Sequence, residues 1–276
     1  MQSCADPVEA YDDPLFSRCY DRMVAALPKS LEVGKDVQLA ATLLPEGGAR
    51  ILDVAAGSGR VAFGLASHFP NRPLEINLLD ASQEMLSRAR EQEPPHTACR
   101  FSYMHGDMSD LGKILADAPR FDLIILTAGS IHHLLEEGER KGLFEGLAQL
   151  VEPQRGRLLL TRLADEEIIC AEETADATVQ LAPGVTKRIL RQEKQECSNG
   201  DAVVHTEFEV SEQGEEEQGS RVSWTLRTIR PEDLAAAATA HGLLLVRRAS
   251  GFESAMSGNT LDVPDRDSTV FVFSIA

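Results

Sequence analysis

The chain has 276 residues, 43% of them hydrophobic, which is enough to bury the core of one large domain or of one domain with an insertion. Its 27 basic and 44 acidic residues give a formal charge of −17, which argues against nucleic acid as a partner, because proteins that bind the phosphate backbone present a basic face. No apolar run approaches the roughly eighteen residues of a membrane span, and no secretory signal is evident, so neither membrane contact nor export is expected.

The five cysteines lie far apart in the sequence and include no Cys-x-x-Cys pair. This spacing predicts reduced thiols in a cytoplasmic protein and no metal site. The N-terminal residues 1–46 are predicted to form a helical cover. Residues 1–13 are expected to be loose, and helices are expected at about 14–26 and 31–44 before Pro45 and two glycines break the chain.

The stretch from 50 to 60 organises the rest of the chain. Its sequence, Arg-Ile-Leu-Asp-Val-Ala-Ala-Gly-Ser-Gly-Arg, predicts a buried strand that leads into a tight turn, and residues 61–69 then show the apolar spacing of a helix. Gly57 and Gly59 would let the backbone approach a ligand, with the first amides of the helix pointing at it. Taken alone, this turn is equally typical of an ordinary connection between a strand and a helix.

Three further apolar segments each end in polar residues. Residues 74–80 end in Asp80, whose carboxylate would suit the two hydroxyls of a ribose. Residues 101–108 end in Asp107 and Met108, and the methionine side chain suits the face of an adenine ring. Residues 121–127 are almost entirely apolar and precede a loop with two histidines, so four successive strand ends carry residues of a cofactor site.

In these motifs and their spacing the chain resembles a class I S-adenosylmethionine-dependent methyltransferase, over about residues 15–165 and the final strands. The resemblance implies that Asp53, Gly57 and Gly59 belong to the first family motif, with Ala55 in place of its usual first glycine. It implies S-adenosylmethionine as the cofactor, with Asp80 at the ribose and Asp107 near the adenine amine. The cofactor-binding residues expected on this basis are Tyr20, Asp53, Ala55, Gly57, Gly59, Asp80, Ala81, Met85, Gly106, Asp107, Met108 and Thr127.

Two alternatives stay open at this point. Tyr20 lies in a segment that resembles the family's N-terminal helix over the methionine end of the cofactor, but an aromatic on an amphipathic helix is equally typical of a core residue. A nicotinamide dehydrogenase would have a Gly-x-Gly-x-x-Gly turn, and the alanine at position 62 is a replacement which that pattern sometimes tolerates. The Asp107-Met108 pair favours the methyl donor.

The alternation of strands and helices from 50 to 163 predicts right-handed βαβ units and a parallel sheet covered on both faces. Residues 164–229 depart from this pattern: an acidic helix at about 165–180 is expected before three alternating runs that predict a small antiparallel meander. The fold class predicted is therefore α/β, with a doubly wound, mostly parallel, Rossmann-like sheet of seven strands and an antiparallel insertion. The predicted divisions are a cover at 1–46, a cofactor-binding core at 47–163, a lid insertion at 164–229 and the end of the core at 230–276, and the resemblance implies strand order 3-2-1-4-5-7-6.

Methyl transfer needs alignment of the acceptor, and it needs a base only where the acceptor still holds a proton. His132 and His133 follow the fourth strand, at the carboxyl ends where such sheets bind ligands, and are the candidate catalytic bases. The alternative is that one of them caps a helix or lines the pocket. Trp224 in the meander is interpreted as a buried anchor rather than a stacking surface for an acceptor.

The predicted function is transfer of a methyl group from S-adenosylmethionine to a nitrogen, oxygen or sulfur atom of a small-molecule metabolite, by a cytoplasmic monomer or homodimer. The alternative is a protein that keeps the fold and the cofactor without methyl transfer, as a partner in a complex or as the catalyst of another reaction.

Overall fold

A computed structural model describes residues 9–25, 34–169, 178–212, 219–257 and 268–275. The helices of this part of the chain are α1 (Glu9–Asp12), α2 (Pro14–Ala25), α3 (Lys35–Leu43), α4 (Arg60–His68), α5 (Gln83–Glu91), α6 (Leu111–Ile114), α7 (Glu137–Leu150), α8 (Asp165–Ile168), α9 (Pro231–Ala240) and α10 (Gly251–Ser257). Two 3-10 helices span Met108–Asp110 and Ser130–His133. Among the described helices, none has the length and apolar character that crossing a membrane requires.

Seven strands form the main sheet in the order β10-β11-β5-β4-β1-β2-β3. Strand β11 is antiparallel to both of its neighbours, and the remaining pairs are parallel. This topology confirms the predicted doubly wound fold and its strand order. The strands are β1 (Ala49–Val54), β2 (Leu74–Asp80), β3 (Arg100–His105), β4 (Leu123–Leu126), β5 (Arg157–Arg162), β10 (Leu243–Ser250) and β11 (Thr269–Ile275).

Both faces of the central strands β1, β4 and β5 are buried, as their continuous apolar runs indicate. Successive side chains of a strand point to opposite faces, and β4 shows the result. Its Ile124 belongs to the core beside α7 and α9, whereas Ile125 belongs to the core beside α3, α4 and α5. Burial on both faces leaves the carboxyl edge of the parallel strands as the place for a binding site.

The second sheet is antiparallel, in the order β6-β7-β8-β9. Its strands are β6 (Thr178–Ala182), β7 (Val185–Glu196), β8 (Ala202–Glu212) and β9 (Ser220–Arg227). In β8 alternate side chains are buried, and Phe208 and Val210 pack with Phe16 of α2. The sheet therefore lies against the N-terminal helices, and within the described residues it shares no strand with the main sheet.

Three sequence predictions in these regions are corrected. The helix expected over 165–180 ends at Ile168, and Thr178–Ala182 forms a fourth strand of the second sheet because it pairs with β7; residues 170–177 lie outside the described part of the chain. The last strand of this sheet ends at Arg227, short of the expected 229. Residues 9–12 form α1 instead of a loose segment. The predicted domain boundaries themselves stay predictions.

Candidate active site

The turn after β1 is left-handed at three positions. Ala55, Gly57 and Gly59 have φ angles of 53°, 56° and 83°. Glycine adopts this left-handed region at little cost in conformational free energy, whereas a residue with a Cβ adopts it at a higher cost. The Asp80 carboxylate at the end of β2 holds this loop, because its Oδ2 accepts a hydrogen bond from the Gly57 amide at 2.7 Å. Its Oδ1 accepts from the Ser82 amide at 2.8 Å. Burial raises the pKa of Asp80, and these two amide hydrogen bonds oppose the rise.

A cavity of about 110 Å³, which we call the loop cleft, lies between this glycine loop and the ends of β2 and β3. Most of the residues predicted for a cofactor site line it. The Asp107 carboxylate caps the following 3-10 helix, with Oδ1 accepting from the Ser109 amide at 2.7 Å. The predicted residues in the lining are Tyr20, Ala55, Gly57, Asp80, Ala81, Met85, Gly106, Asp107, Met108 and His133.

A second cavity of about 290 Å³, the large cavity, lies between α2, the second sheet and the end of β5. Phe16 from α2 and Trp224 from β9 contribute aromatic walls, and their ring centroids lie 6.2 Å apart. The two cavities share four lining residues: Tyr11, Tyr20, Ala128 and His133. They therefore meet at one place, which we call the junction.

Two polar side chains face each other at the junction. The Tyr11 hydroxyl lies 3.1 Å from Nε2 of His133, and the two rings are nearly perpendicular, with centroids 5.5 Å apart. Burial lowers the pKa of His133 to about 4 and raises the pKa of Tyr11 well above its ordinary value. Burial also raises the pKa of Tyr20 to about 12. At neutral pH the side chains of Tyr11, Tyr20 and His133 are therefore all uncharged.

His132 does not reach either cavity. It is fully buried, with Nδ1 2.6 Å from the carbonyl oxygen of Arg227 and Nε2 3.0 Å from the amide of Leu163. Since a carbonyl only accepts and an amide N–H only donates, the proton is on Nδ1 and both nitrogens are occupied. Burial lowers the pKa of His132 to about 3. The prediction of His132 as a base is corrected: it ties the loop after β4 to β5 and β9.

Three other predicted residues lie behind the cavity walls. Asp53 is 3% exposed at the end of β1, and burial raises its pKa to about 7. Gly59 is the N-cap of α4, and a Cβ there would lie 2.4 Å from the Phe63 ring. Thr127 is 6% exposed, and its carbonyl oxygen accepts from the Ser130 hydroxyl at 3.0 Å. The structure thus places these three beneath the loops that line the cavities.

Tyr11 is a site residue that the sequence analysis missed. Its helix is held to the start of α5 by the Ser82 hydroxyl, which donates to the Asp12 carboxylate at 2.6 Å and also lies 3.1 Å from the Tyr11 carbonyl oxygen. A helix of four residues shows no periodicity that would reveal it. Asp13 before Pro14 marks only the start of α2, where the amides of Leu15 and Phe16 donate to its carboxylate, so it gave no signal for Tyr11.

Comparison with known proteins agrees with this geometry. Residues 51–154, which contain the glycine loop and the ends of β2, β3 and β4, match the family model described as a methyltransferase domain. Over residues 51–154 the chain therefore carries a methyltransferase domain. A search among curated proteins found no match. The fold nevertheless has many relatives among solved structures.

Three solved structures illustrate the likeness. An S-adenosylmethionine-dependent methyltransferase from Clostridium acetobutylicum is 16% identical, with a TM-score of 0.70 over 95% of this chain and 98% of that one. CcbJ methyltransferase from Streptomyces caelestis is 21% identical, with a TM-score of 0.71 over 97% and 98% of the two chains. CalS10, an amino pentose methyltransferase from Micromonospora echinaspora, is 18% identical, with a TM-score of 0.61 over 92% and 95%. At these identities the likeness shows a shared fold.

The solved structure of CalS10 is described as bound to S-adenosylmethionine. The loop cleft has the features that such a donor needs. A carboxylate is held at its wall by two backbone amides, and an apolar thioether lies beside an exposed acid at its other end. The residues present therefore fit the group.

Proposed function

We propose that the methyltransferase transfers the methyl group of S-adenosylmethionine to an amine nitrogen of a small molecule. The observation that carries this proposal is the junction, where the loop cleft and the large cavity share Tyr11, Tyr20, Ala128 and His133. A transfer reaction requires the two reacting groups to meet in line at one point. Two cavities that meet at a single uncharged place supply such a point.

We assign the loop cleft to the adenosine part of the donor. Asp80 would accept hydrogen bonds from the ribose hydroxyls, since each of its oxygens can accept a second hydrogen bond beside the one from a backbone amide. Asp107 would accept from the adenine amine, while Met108 and Met85 would pack against the ring. Tyr20 would cover the glycine loop from α2. The reactive end then lies toward the junction.

The junction favours an amine over a hydroxyl acceptor. When bound, S-adenosylmethionine supplies a methyl group on a positively charged sulfur. A buried His133 with a pKa of about 4 is too weak a base to take a proton from a hydroxyl group near neutral pH. The neutral imidazole can still accept a hydrogen bond from an amine N–H. That bond would hold the lone pair of the amine nitrogen in line with the methyl group of the donor, while Tyr11 contacts the other ring nitrogen of His133. A neutral amine is already a nucleophile, and the proton it loses afterwards can pass to water.

Two further observations support a small amine. The large cavity is closed on one side by the second sheet and measures about 290 Å³, a volume that suits a metabolite more than a polymer. The formal charge of −17 disfavours nucleic acid. The structural relative CalS10 is described as an amino pentose methyltransferase, so the fold accommodates an amino sugar acceptor in at least one relative.

The test is release of S-adenosylhomocysteine from the purified protein, given S-adenosylmethionine and pairs of acceptors that share a skeleton and differ only in an amine or a hydroxyl group. Amino sugars and their parent sugars form one such set. Release with the amine member alone is expected, and an Asp80→Ala variant is the matched control for dependence on the donor site. The proposal would be contradicted if the hydroxyl members gave S-adenosylhomocysteine and the amines did not. It would also be contradicted if none of the amines in the panel gave S-adenosylhomocysteine.

A further inference from the structure

A buried ion pair forms part of the wall of the large cavity next to the glycine loop. Arg60 binds Asp36 through both ends of its guanidinium group, with Nη1 3.0 Å from Oδ1 and Nη2 donating to Oδ2. The side chain of Asp36 is 4% exposed and that of Arg60 is 24% exposed. Asp36 therefore fixes the guanidinium in place, and the group has further N–H donors beyond these two.

We propose that Arg60 and Asp36 bind the α-amino acid end of the methyl donor. This rests on the proposed placement of adenosine in the loop cleft. With the ribose at Asp80, the amino acid end leaves the cleft past Tyr20, which lines both cavities. Arg60 directly follows Gly59 and lines the large cavity that begins there.

The other cations in the cavity wall lie elsewhere in the fold. Among the described lining residues, Lys187 has Nζ 4.3 Å from the ring centroid of Trp224, on the second sheet. Arg162 is 1% exposed at the end of β5, where its Nε donates to the carbonyl oxygen of Ile229. Among the described lining residues, Arg60 is thus the cation that adjoins the glycine loop, beside which the proposed placement of adenosine puts the donor carboxylate.

The charges of the pair match those of the ligand. The α-amino acid end of the donor is a zwitterion, with one carboxylate and one ammonium group. Arg60 and Asp36 both line the cavity and present one cation and one carboxylate. A guanidinium held by one carboxylate binds a second one with little loss of side-chain entropy, since its direction is already set. The alternative role for the pair is only to tie α3 to α4.

Calorimetry with two ligands separates the two roles. S-adenosylhomocysteine carries the amino acid end, whereas 5′-methylthioadenosine lacks it and keeps the adenosine. Arg60→Met is expected to lower the affinity for S-adenosylhomocysteine by about 10- to 150-fold, the effect of losing a charge-assisted hydrogen bond, and to leave the affinity for 5′-methylthioadenosine unchanged. Arg100→Met is the matched control, because Arg100 is 79% exposed and pairs with Glu75 at the opposite end of the sheet.

Removal of Arg60 alone leaves Asp36 buried without its partner, so a second variant guards against misfolding. The double variant Asp36→Asn with Arg60→Gln can keep a hydrogen bond between neutral groups and should show the same selective loss. Equal losses for both ligands, or no loss for either, would overturn the proposal. If the wild-type protein binds neither ligand, the proposed placement of the donor in the loop cleft is wrong, and the inference about Arg60 and Asp36, which rests on it, is wrong as well.

Discussion

The hydroxyl of Tyr11 lies 3.1 Å from Nε2 of His133, although 122 residues separate them in the chain. The contact joins the first described helix to the loop after β4. It lies where the loop cleft and the large cavity meet. Nδ1 of His133 is buried and has no hydrogen-bond partner among the described residues. A polar atom in that state is a group that a ligand can satisfy.

Replacing either member of this pair should slow methyl transfer without weakening donor binding. We expect His133→Asn and Tyr11→Phe each to lower kcat by about 10- to 100-fold, because misalignment of the acceptor costs rate at the chemical step. Affinity for S-adenosylhomocysteine should stay within about twofold of wild type. Single-turnover kinetics with calorimetry on the same samples measures both. If a variant binds S-adenosylhomocysteine more weakly and keeps its kcat, the pair contacts the donor and not the acceptor.

The two buried histidines should make the protein less stable as pH falls from about 6.5 to 4. Their ordinary pKa is 6.5, and burial lowers it to about 3 for His132 and about 4 for His133. Over this range the unfolded chain binds protons that the folded rings refuse, so unfolding becomes easier. Asp53 acts in the opposite direction between pH 3.8 and about 7, because burial raises its pKa and the folded state binds the proton.

The measurement that isolates the histidine contribution is the difference in unfolding free energy between wild type and His133→Asn across this pH range, since Asp53 is common to both. Wild type should lose stability relative to the variant as pH falls. A difference that does not change with pH would mean that His133 titrates normally in the folded protein.

His132 should be a structural residue whose loss costs stability. Replacing it with leucine removes hydrogen bonds to the Leu163 amide and the Arg227 carbonyl and leaves both groups unpaired, which should lower the unfolding free energy by about 2 to 4 kcal/mol. Urea unfolding measures this. The pH dependence of turnover, taken per folded molecule, should match that of wild type. Full stability combined with a large loss of turnover would restore the role of base that the sequence predicts for it.

Ala55 holds a backbone conformation that glycine adopts more easily. Its φ is 53°, and the family motif usually has glycine at this position. Ala55→Gly should raise the unfolding free energy by about 0.5 to 1 kcal/mol, because relief of left-handed strain exceeds the added entropy of the unfolded chain. Ala236→Gly, at an exposed position inside α9, is the control and should lower stability by about 1 kcal/mol. Destabilisation at both positions to the same extent would show that Ala55 is unstrained.

Sequence alone was sufficient for the main sheet and for most of the residues that line the loop cleft. Asp80 is the last residue of β2, and Gly57, Asp107 and Met108 lie within three residues of the end of β1 or β3. Parallel strands bring their carboxyl ends to one edge of a sheet. A local pattern of apolar strand and polar end therefore determines which residues meet. The second sheet was only partly predictable, because β6 pairs with β7 through contacts that no pattern in 178–182 reveals.

The two adjacent histidines show what only the tertiary structure decided. His132 and His133 are neighbours with the same chemistry, and no sequence rule separates them. The 3-10 helix turns one ring between β5 and β9, where backbone groups occupy both nitrogens, and turns the other toward Tyr11. Residues at strand ends can be assigned from the sequence, because strand order decides which of them lie side by side. The roles of the two histidines depend on elements distant in the chain, whose positions follow from packing.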